Sequence, residues 1–177
     1  MRLFRRLLPA TLVALTLVAT VAIEPASATD TGVEELVFVA KLNELRVSRG
    51  LAPLATKGAL FDMARAWAGN MEAAGGISHN PSLAAQGPAG WRRLGENVGM
   101  GYDVQGLHDA FVASPLHFQN MVDPAFDSVG VGVVHAADGK IFVTVNFMTS
   151  PAPAPAAAKP RRVCTRTRRN RTVCRTR

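Results

Sequence analysis

Three observations predict an α+β domain: helical periodicity confined to the first part of the chain, a glycine-rich middle, and two closing runs of strict apolar alternation. Helices first, a mixed middle and strands last argue against alternating βαβ units. A chain of 177 residues normally makes one domain, and ends that read as targeting segment and tail leave about 120 residues for the globule, enough for a real core.

Thr31 followed by Glu34 forms a candidate capping box, and Val33, Leu36, Val37, Ala40 and Leu45 carry helical spacing up to Gly50. A second helix is predicted from about Lys57 to Ala74, with Leu60, Met63, Ala64, Trp67, Ala68 and Met71 on a core face and Gly75-Gly76 as its stop. From Ile77 to Tyr102 the positions Gly87, Pro88, Gly90, Gly95, Gly99 and Gly101 predict loops, with short strands near Ile77 and at Asn97 to Gly101. Asp103 is placed to cap a third helix through about Val112, and Ser114-Pro115 reads as the cap and first position of a short helix carrying His117. Val129, Val131 and Val133 then alternate with Gly130 and Gly132. Asp138-Gly139 supplies a turn, and Ile141, Val143, Val145 and Phe147 alternate with Phe142, Thr144 and Asn146, which makes an antiparallel hairpin.

The ends differ in character from the domain, taken as residues 29–149. Residues 1–28 have a basic start (Arg2, Arg5, Arg6), an apolar run from Leu7 to Ile23 and the small-residue pattern Ala26-Ser27-Ala28. We read a signal peptide cleaved after Ala28, with no transmembrane helix retained; the alternative is a retained membrane anchor, since the run is near the lower length for a span, though Pro9 and Glu24 shorten its clean part. The want of a cysteine near the cleavage point excludes a lipoprotein. The predicted location is secreted: extracellular or cell-wall associated.

Residues 29–158 hold 8 Lys and Arg against 12 Asp and Glu, whereas residues 159–177 hold 9 basic residues and no acid. The chain's net charge of +7 therefore belongs to the tail. A Pro and Ala linker, 150–160, separates the two and should be extended and semi-rigid. The tail, 161–177, contains Arg161, Arg162, Arg166, Arg168, Arg169, Arg171, Arg175 and Arg177, candidates for binding an anionic cell-envelope polymer or anionic lipid. It has no aromatic residue for base stacking, which excludes sequence-specific nucleic-acid recognition. Both cysteines of the chain, Cys164 and Cys174, lie in this tail, and an exported chain meets an oxidising compartment. A local disulfide closing a cationic loop would remove about 2.5–3 kcal/mol of unfolded-state entropy. An intermolecular bridge is the alternative; two thiols without nearby His or acid supply too few ligands for a metal.

Two histidines and a glutamate stand out: His79 in Ser78-His79-Asn80, Glu96 in Gly95-Glu96-Asn97, and His117 in Ser114-Pro115-Leu116-His117. If the fold gathers them, they incur a desolvation cost that usually goes with a ligand, a metal or proton chemistry. Two neutral imidazoles with a carboxylate or water would suit a divalent metal such as zinc, held by His79 and His117. The plainer reading is that the histidines hydrogen-bond Glu96 and peptide groups, or that Glu96 satisfies amides of the Gly95 to Gly99 loop, merely locking loops together. Ser114 is a helix cap before it is a nucleophile. His108 is expected on a helix surface and His135 at a strand end. Trp91, Arg92 and Arg93 are candidates for a cationic rim or, more simply, a cover for the core edge.

The ordered set of these segments, with Leu42-Asn43-Glu44-Leu45-Arg46 and Gly50-Leu51-Ala52-Pro53-Leu54 before them and Val129-Gly130-Val131-Gly132 after, resembles the CAP superfamily of cysteine-rich secretory proteins, antigen 5 and pathogenesis-related protein 1, in its short bacterial branch. The resemblance covers roughly Glu35 to Met148. It implies a three-layer α-β-α sandwich with a central antiparallel sheet. It also implies a surface cleft lined by two histidines and two acidic residues, where some members are reported to bind divalent metal. His79 and His117 match the histidines and Glu96 one acid. Ser114 stands near the second acid's position, with Asp109 the nearest carboxylate, so paired-carboxylate chemistry has one named partner. Asn43 and Arg46 belong to the family pattern and share one helix face, where a structural role is expected.

Three functions follow as expectations. The first is a non-catalytic binding module for a small apolar ligand, such as the sterol or fatty acid that the resemblance implies, or a metal-associated one. The second is a metal-assisted peptidase or esterase with Glu96 as base and Glu96 and Ser114 as catalytic candidates. The third is adhesion through the cationic tail.

Overall fold

The computed structural model describes residues 28–151 and the two tail strands 162–166 and 172–176, with side chains for residues 31–151. The signal segment, its cleavage point, most of the linker and the tail side chains lie outside the described residues.

The first helix, α1 (Ala28–Ser48), starts before the expected cap, so Thr31 lies inside it. Its buried face is also rotated from the apolar pattern: Glu35, Phe38, Val39, Leu42 and Arg46 are buried, while Val33, Leu36 and Val37 are exposed. Two charged residues on the inner face explain the discrepancy, because each finds a partner. Arg65 grips Glu35 through Nε and Nη2 at 2.6 to 3.1 Å. Arg46 is satisfied by carbonyls, as shown below.

A two-residue strand, β1 (Ala55–Thr56), leads into α2 (Gly58–Ala74). Gly75, at φ 68°, ends α2: its N–H bonds Glu72 O and that of Gly76 bonds Met71 O, a left-handed stop that favours glycine. No strand forms at Ile77; the neighbouring Ser78 carbonyl is taken by Trp67 Nε1 at 2.8 Å. After the short α3 (Leu83–Gln86), a nine-residue strand β2 (Arg93–Gly101) replaces the shorter one expected from Asn97. Asp103 caps α4 (Val104–Ala113), accepting from Gly106 N at 2.7 Å, and α5 (Pro115–Met121) follows with proline in its first turn.

The hairpin β3 (Ser128–His135) and β4 (Ile141–Thr149) pairs Val129 with Phe147 and His135 with Ile141, closed by Gly139 at φ 83°. β2 pairs antiparallel with β4, and β1 adds a short parallel edge to β3, giving the order β1-β3-β4-β2. Both faces of β3 and β4 are buried, so helices must cover the sheet twice. On one face Val129, Val131, Val133, Val143, Val145 and Phe147 pack with Phe38 and Leu42 of α1 and Leu107 and Phe111 of α4. On the other, α2 sits so close that a Cβ on Gly130 or Gly132 would overlap helix backbone at Leu60–Phe61 or Ala64–Arg65. The domain is therefore a three-layer α-β-α sandwich.

In the tail, β5 (Arg162–Arg166) and β6 (Thr172–Thr176) form a separate antiparallel ribbon with Cys164 opposite Cys174. The expected cationic loop is thus a two-stranded element.

Candidate functional site

β2 is an edge strand, and alternate residues of an edge strand look to opposite faces of the sheet. Leu94 and Val98 pack with the α2 side, among Met63 and Met71, and Glu96 shares their face. Gly95 and Gly99 lie on the other face, where a Cβ would press on Phe126, Leu107 or Phe111. Asn97, between them, reaches α5. The site consequently straddles the strand, with His79 arriving from the loop after α2 on one side and His117 from α5 on the other.

His79 Nδ1 lies 2.8 Å from Glu96 Oε1, and the same oxygen accepts from Asn80 N at 2.9 Å. The glutamate side chain is 2% exposed and the histidine 67%, so a buried carboxyl holds a solvent-facing ring. Asn80 stiffens the loop: its Oδ1 accepts from Ser82 N at 2.9 Å and its Nδ2 donates to Gln86 Oε1 at 2.9 Å. Across the strand, Asn97 Nδ2 donates to the His117 carbonyl at 3.0 Å. Asn120 Nδ2 donates to Asn97 Oδ1 at 2.8 Å and to the Glu96 carbonyl at 3.2 Å. These asparagines moor α5 to the strand at Glu96 itself.

The His117 ring packs on Phe111 with centroids 4.5 Å apart, and its Nδ1 is buried without a partner. Burial, and secondarily the charge of His79, push its pKa below the ordinary 6.5, which favours the neutral ring.

Other expected residues fall elsewhere or act differently. Ser114 occupies the cap position of α5, but its hydroxyl makes no capping bond, and among the described residues it makes no hydrogen bond to His79, Glu96 or His117. Glu96 is not open as a third metal ligand or as a base, because Oε1 is doubly bonded and Oε2 is buried. His108 is buried, not on the surface: it packs edge-on to Phe38 at 5.6 Å because α1 and α4 close over it. His135, at a strand end, bonds Glu34 at 2.6 Å. No cationic rim forms from Arg93, whose guanidinium pairs with Asp123 at 2.8 Å and covers the Phe126 ring; Trp91 presses on Gly87.

Asn43 and Arg46 organise the corner behind the site. Asn43 reads both backbone groups of Leu54, at 2.8 and 3.1 Å. Arg46 donates to the carbonyls of Ala52, Met121, Asp123 and Phe126 at 2.9 to 3.3 Å, so it fastens the end of α5 and the turn before β3 to α1. Burial lowers its pKa, with the Asp123 charge opposing. Sequence reading missed Asn80 and Asn120, although Asn120 stands three residues after His117, on the same helix face.

A family model for the cysteine-rich secretory protein family, CAP, matches residues 39–147. The chain belongs to the CAP family. An outer surface protein from Borrelia burgdorferi superposes on this CAP domain with TM-score 0.64 at 16% identity, covering 72% of this chain and 98% of that one. An extracellular protein containing a SCP domain from Bacillus anthracis gives 0.61 at 21%, covering 72% and 45%. A cysteine-rich secretory protein from Staphylococcus aureus gives 0.59 at 20%, covering 70% and 41%. At such identities the likeness speaks for the fold, and the chain spans less than half of the last two. No curated protein sequence matches.

Among the described residues, no group of three or more His, Cys, Asp and Glu side chains is placed to hold a metal ion. The donor set therefore does not fit a three-ligand catalytic centre of this CAP domain. Glu96 acts as the partner that orients the exposed His79 ring. Among the described residues no helix is long and apolar enough to cross a membrane.

Proposed function

We propose that this chain is an exported CAP-domain binding module, whose His79 and His117 edge takes a small apolar or metal-associated ligand and whose basic tail holds it to an anionic envelope polymer or lipid. The observation that carries the reading is the His79–Glu96 bond at 2.8 Å, with the carboxyl buried and the imidazole exposed. Such an arrangement uses the acid to orient a donor and leaves it unavailable as a general base. A divalent ion such as zinc would be held by His79 and His117 and would supply the ligand's polar group with a Lewis acid; sterols and fatty acids are the apolar candidates. The hydrolase reading lacks a comparable support, since among the described residues Ser114 has no histidine partner and Glu96 no free oxygen at the surface.

Calorimetric titration of the full chain with zinc, a fatty acid and a sterol tests the proposal. Saturable binding of at least one, weakened in His79→Ala, is the expected result. Absence of binding to all three, or turnover of a peptide or ester panel lost in Glu96→Gln, overturns it.

A further inference from the structure

The sheet face under α2 holds a polar cluster behind the binding edge, built around the second oxygen of Glu96. By register Glu96 stands opposite Asn146, and Val98 opposite Thr144, so Glu96, Asn146 and Thr144 share one face. Asn146 and Thr144 are fully buried, and Glu96 nearly so. Among the described residues, four of their atoms have no hydrogen-bond partner: Glu96 Oε2, Asn146 Oδ1 and Nδ2, and Thr144 Oγ1. Buried polar groups are almost always paired, by protein or by ordered water, and four bare atoms on adjoining register positions of one sheet face form a single polar patch, not scattered exceptions.

The surroundings exclude a bulky guest. On β3 the residues opposite Asn146 and Thr144 are Gly130 and Gly132, and there the α2 backbone rests directly on the sheet. The chemistry of the patch selects the guest. Glu96 Oε2 and Asn146 Oδ1 are acceptors, Asn146 Nδ2 is a donor, and the Thr144 hydroxyl is both. A cation would satisfy the oxygens and leave Asn146 Nδ2 bare, whereas water supplies both donors and acceptors and typically makes about three bonds when buried.

We propose that Asn146 and Thr144 hold ordered water against Glu96 Oε2, and that Asn146 is thereby a positioning residue for His79. The glutamate is then fixed at both oxygens: Oε1 by His79 and Asn80, Oε2 through the water to β4. A carboxyl fixed on one side only would pivot, and with it the ring that it orients. The inference stands on the sheet register and the bare atoms, independently of whether the edge binds zinc or lipid.

Water–protein NOE and ROE spectroscopy on the full chain tests the first half, with long-lived water contacts at the Asn146 side-chain amide as the expected result; an amide without such contacts overturns the site. For the second half, imidazole nitrogen shifts of His79 are compared between wild type and Asn146→Leu. The expected outcome is one tautomer, with the proton on Nδ1, in wild type and a mixture in the variant. An unchanged single tautomer in a folded Asn146→Leu sinks the positioning role. If that variant fails to fold, Thr144→Val provides the comparison, with loss of water contacts at Asn146 expected and their full retention counting against the shared site.

Discussion

His79 Nδ1 and Glu96 Oε1, 2.8 Å apart and 17 residues apart in sequence, join the loop after α2 to the edge strand of the sheet. Because the ring is largely exposed, the pair itself adds little to stability. Its acceptor matters more, since Glu96→Ala also strands the buried Asn80 N–H, at a cost of about 1–3 kcal/mol. For the proposed site an effect of similar size is expected on binding: loss of an outer partner of a ligating histidine typically weakens metal about 10–100-fold. Urea denaturation and zinc calorimetry on the same variant separate the two; intact zinc affinity with reduced stability would assign Glu96 to the scaffold.

Arg46 is the corner post of the fold, 1% exposed with four carbonyl acceptors from two segments. Arg46→Met keeps the apolar stem and leaves those carbonyls without their donor. A loss of about 1–3 kcal/mol is expected, the cost of stranding buried acceptors. Arg46→Lys should recover part of it, because one ammonium reaches fewer of the four acceptors than a planar guanidinium. Equal stability of Arg46→Met and wild type in denaturant would refute the bracing role.

The spacing between α2 and the sheet rests on Gly132, where a Cβ would overlap the backbone at Ala64 and Arg65. Overpacking costs about 1–3 kcal/mol when side chains can yield, and here backbone must move. Gly132→Ala is expected to exceed that range, seen as a large drop in Tm. Gly106→Ala is the control: its Cβ would make ordinary contacts at 3.6 Å or more with the capping carboxylate of Asp103, and the gain in helix propensity should stabilise by up to ~1 kcal/mol. Similar Tm changes in both variants would contradict the close helix–sheet contact.

Legibility in the sequence followed the strength of local chemistry. The closing hairpin, the Asp103 cap and the Gly75 stop were readable because each rests on near neighbours and a distinct backbone demand. The buried face of α1 is not the one its apolar spacing marks, because Glu35 and Arg46 occupy its inner side, and charge at a buried position is intelligible once Arg65 and the distant carbonyls of Met121, Asp123 and Phe126 are known. The two-residue β1 carries no periodicity, and it forms through its parallel pairing with Ser128 and Val129. At the site, the residue types His79, Glu96 and His117 could be picked out. Their arrangement could not, because Glu96 acts toward one face of β2 and His117 approaches from the other, a distinction that depends on strand register.

His117 should impose a pH dependence on stability. Its folded pKa lies below 6.5, chiefly from burial, so the folded state binds fewer protons than the unfolded state just below that pH. The stabilisation is therefore complete above 6.5 and is lost as pH falls through that value toward the lower folded one. Denaturant unfolding between about pH 7.5 and about pH 5, limits set by the ordinary histidine range, should show a steeper fall for wild type than for His117→Gln. Parallel curves for the two proteins would mean that His117 titrates alike in both states.

The tail ribbon sets Cys164 opposite Cys174 across two five-residue strands. An isolated two-stranded ribbon is marginal in water, so a covalent bridge at this register would be its main source of order. Closing it oxidises the two thiols, releasing two protons and passing two electrons to a thiol–disulfide oxidant such as glutathione disulfide, which is reduced to two thiols. The purified full chain treated with that reagent should resist alkylation until reduced. Adding a reductant should then weaken its binding to long-chain polyphosphate, because the six basic residues between 162 and 176, tied by a bridge, lose less freedom on binding than on an open chain. Affinity should also fall steeply with salt, as counterion release requires. Equal affinity in oxidised and reduced protein would separate the bridge from polyanion binding, and a salt-independent affinity would rule out the electrostatic account of the tail.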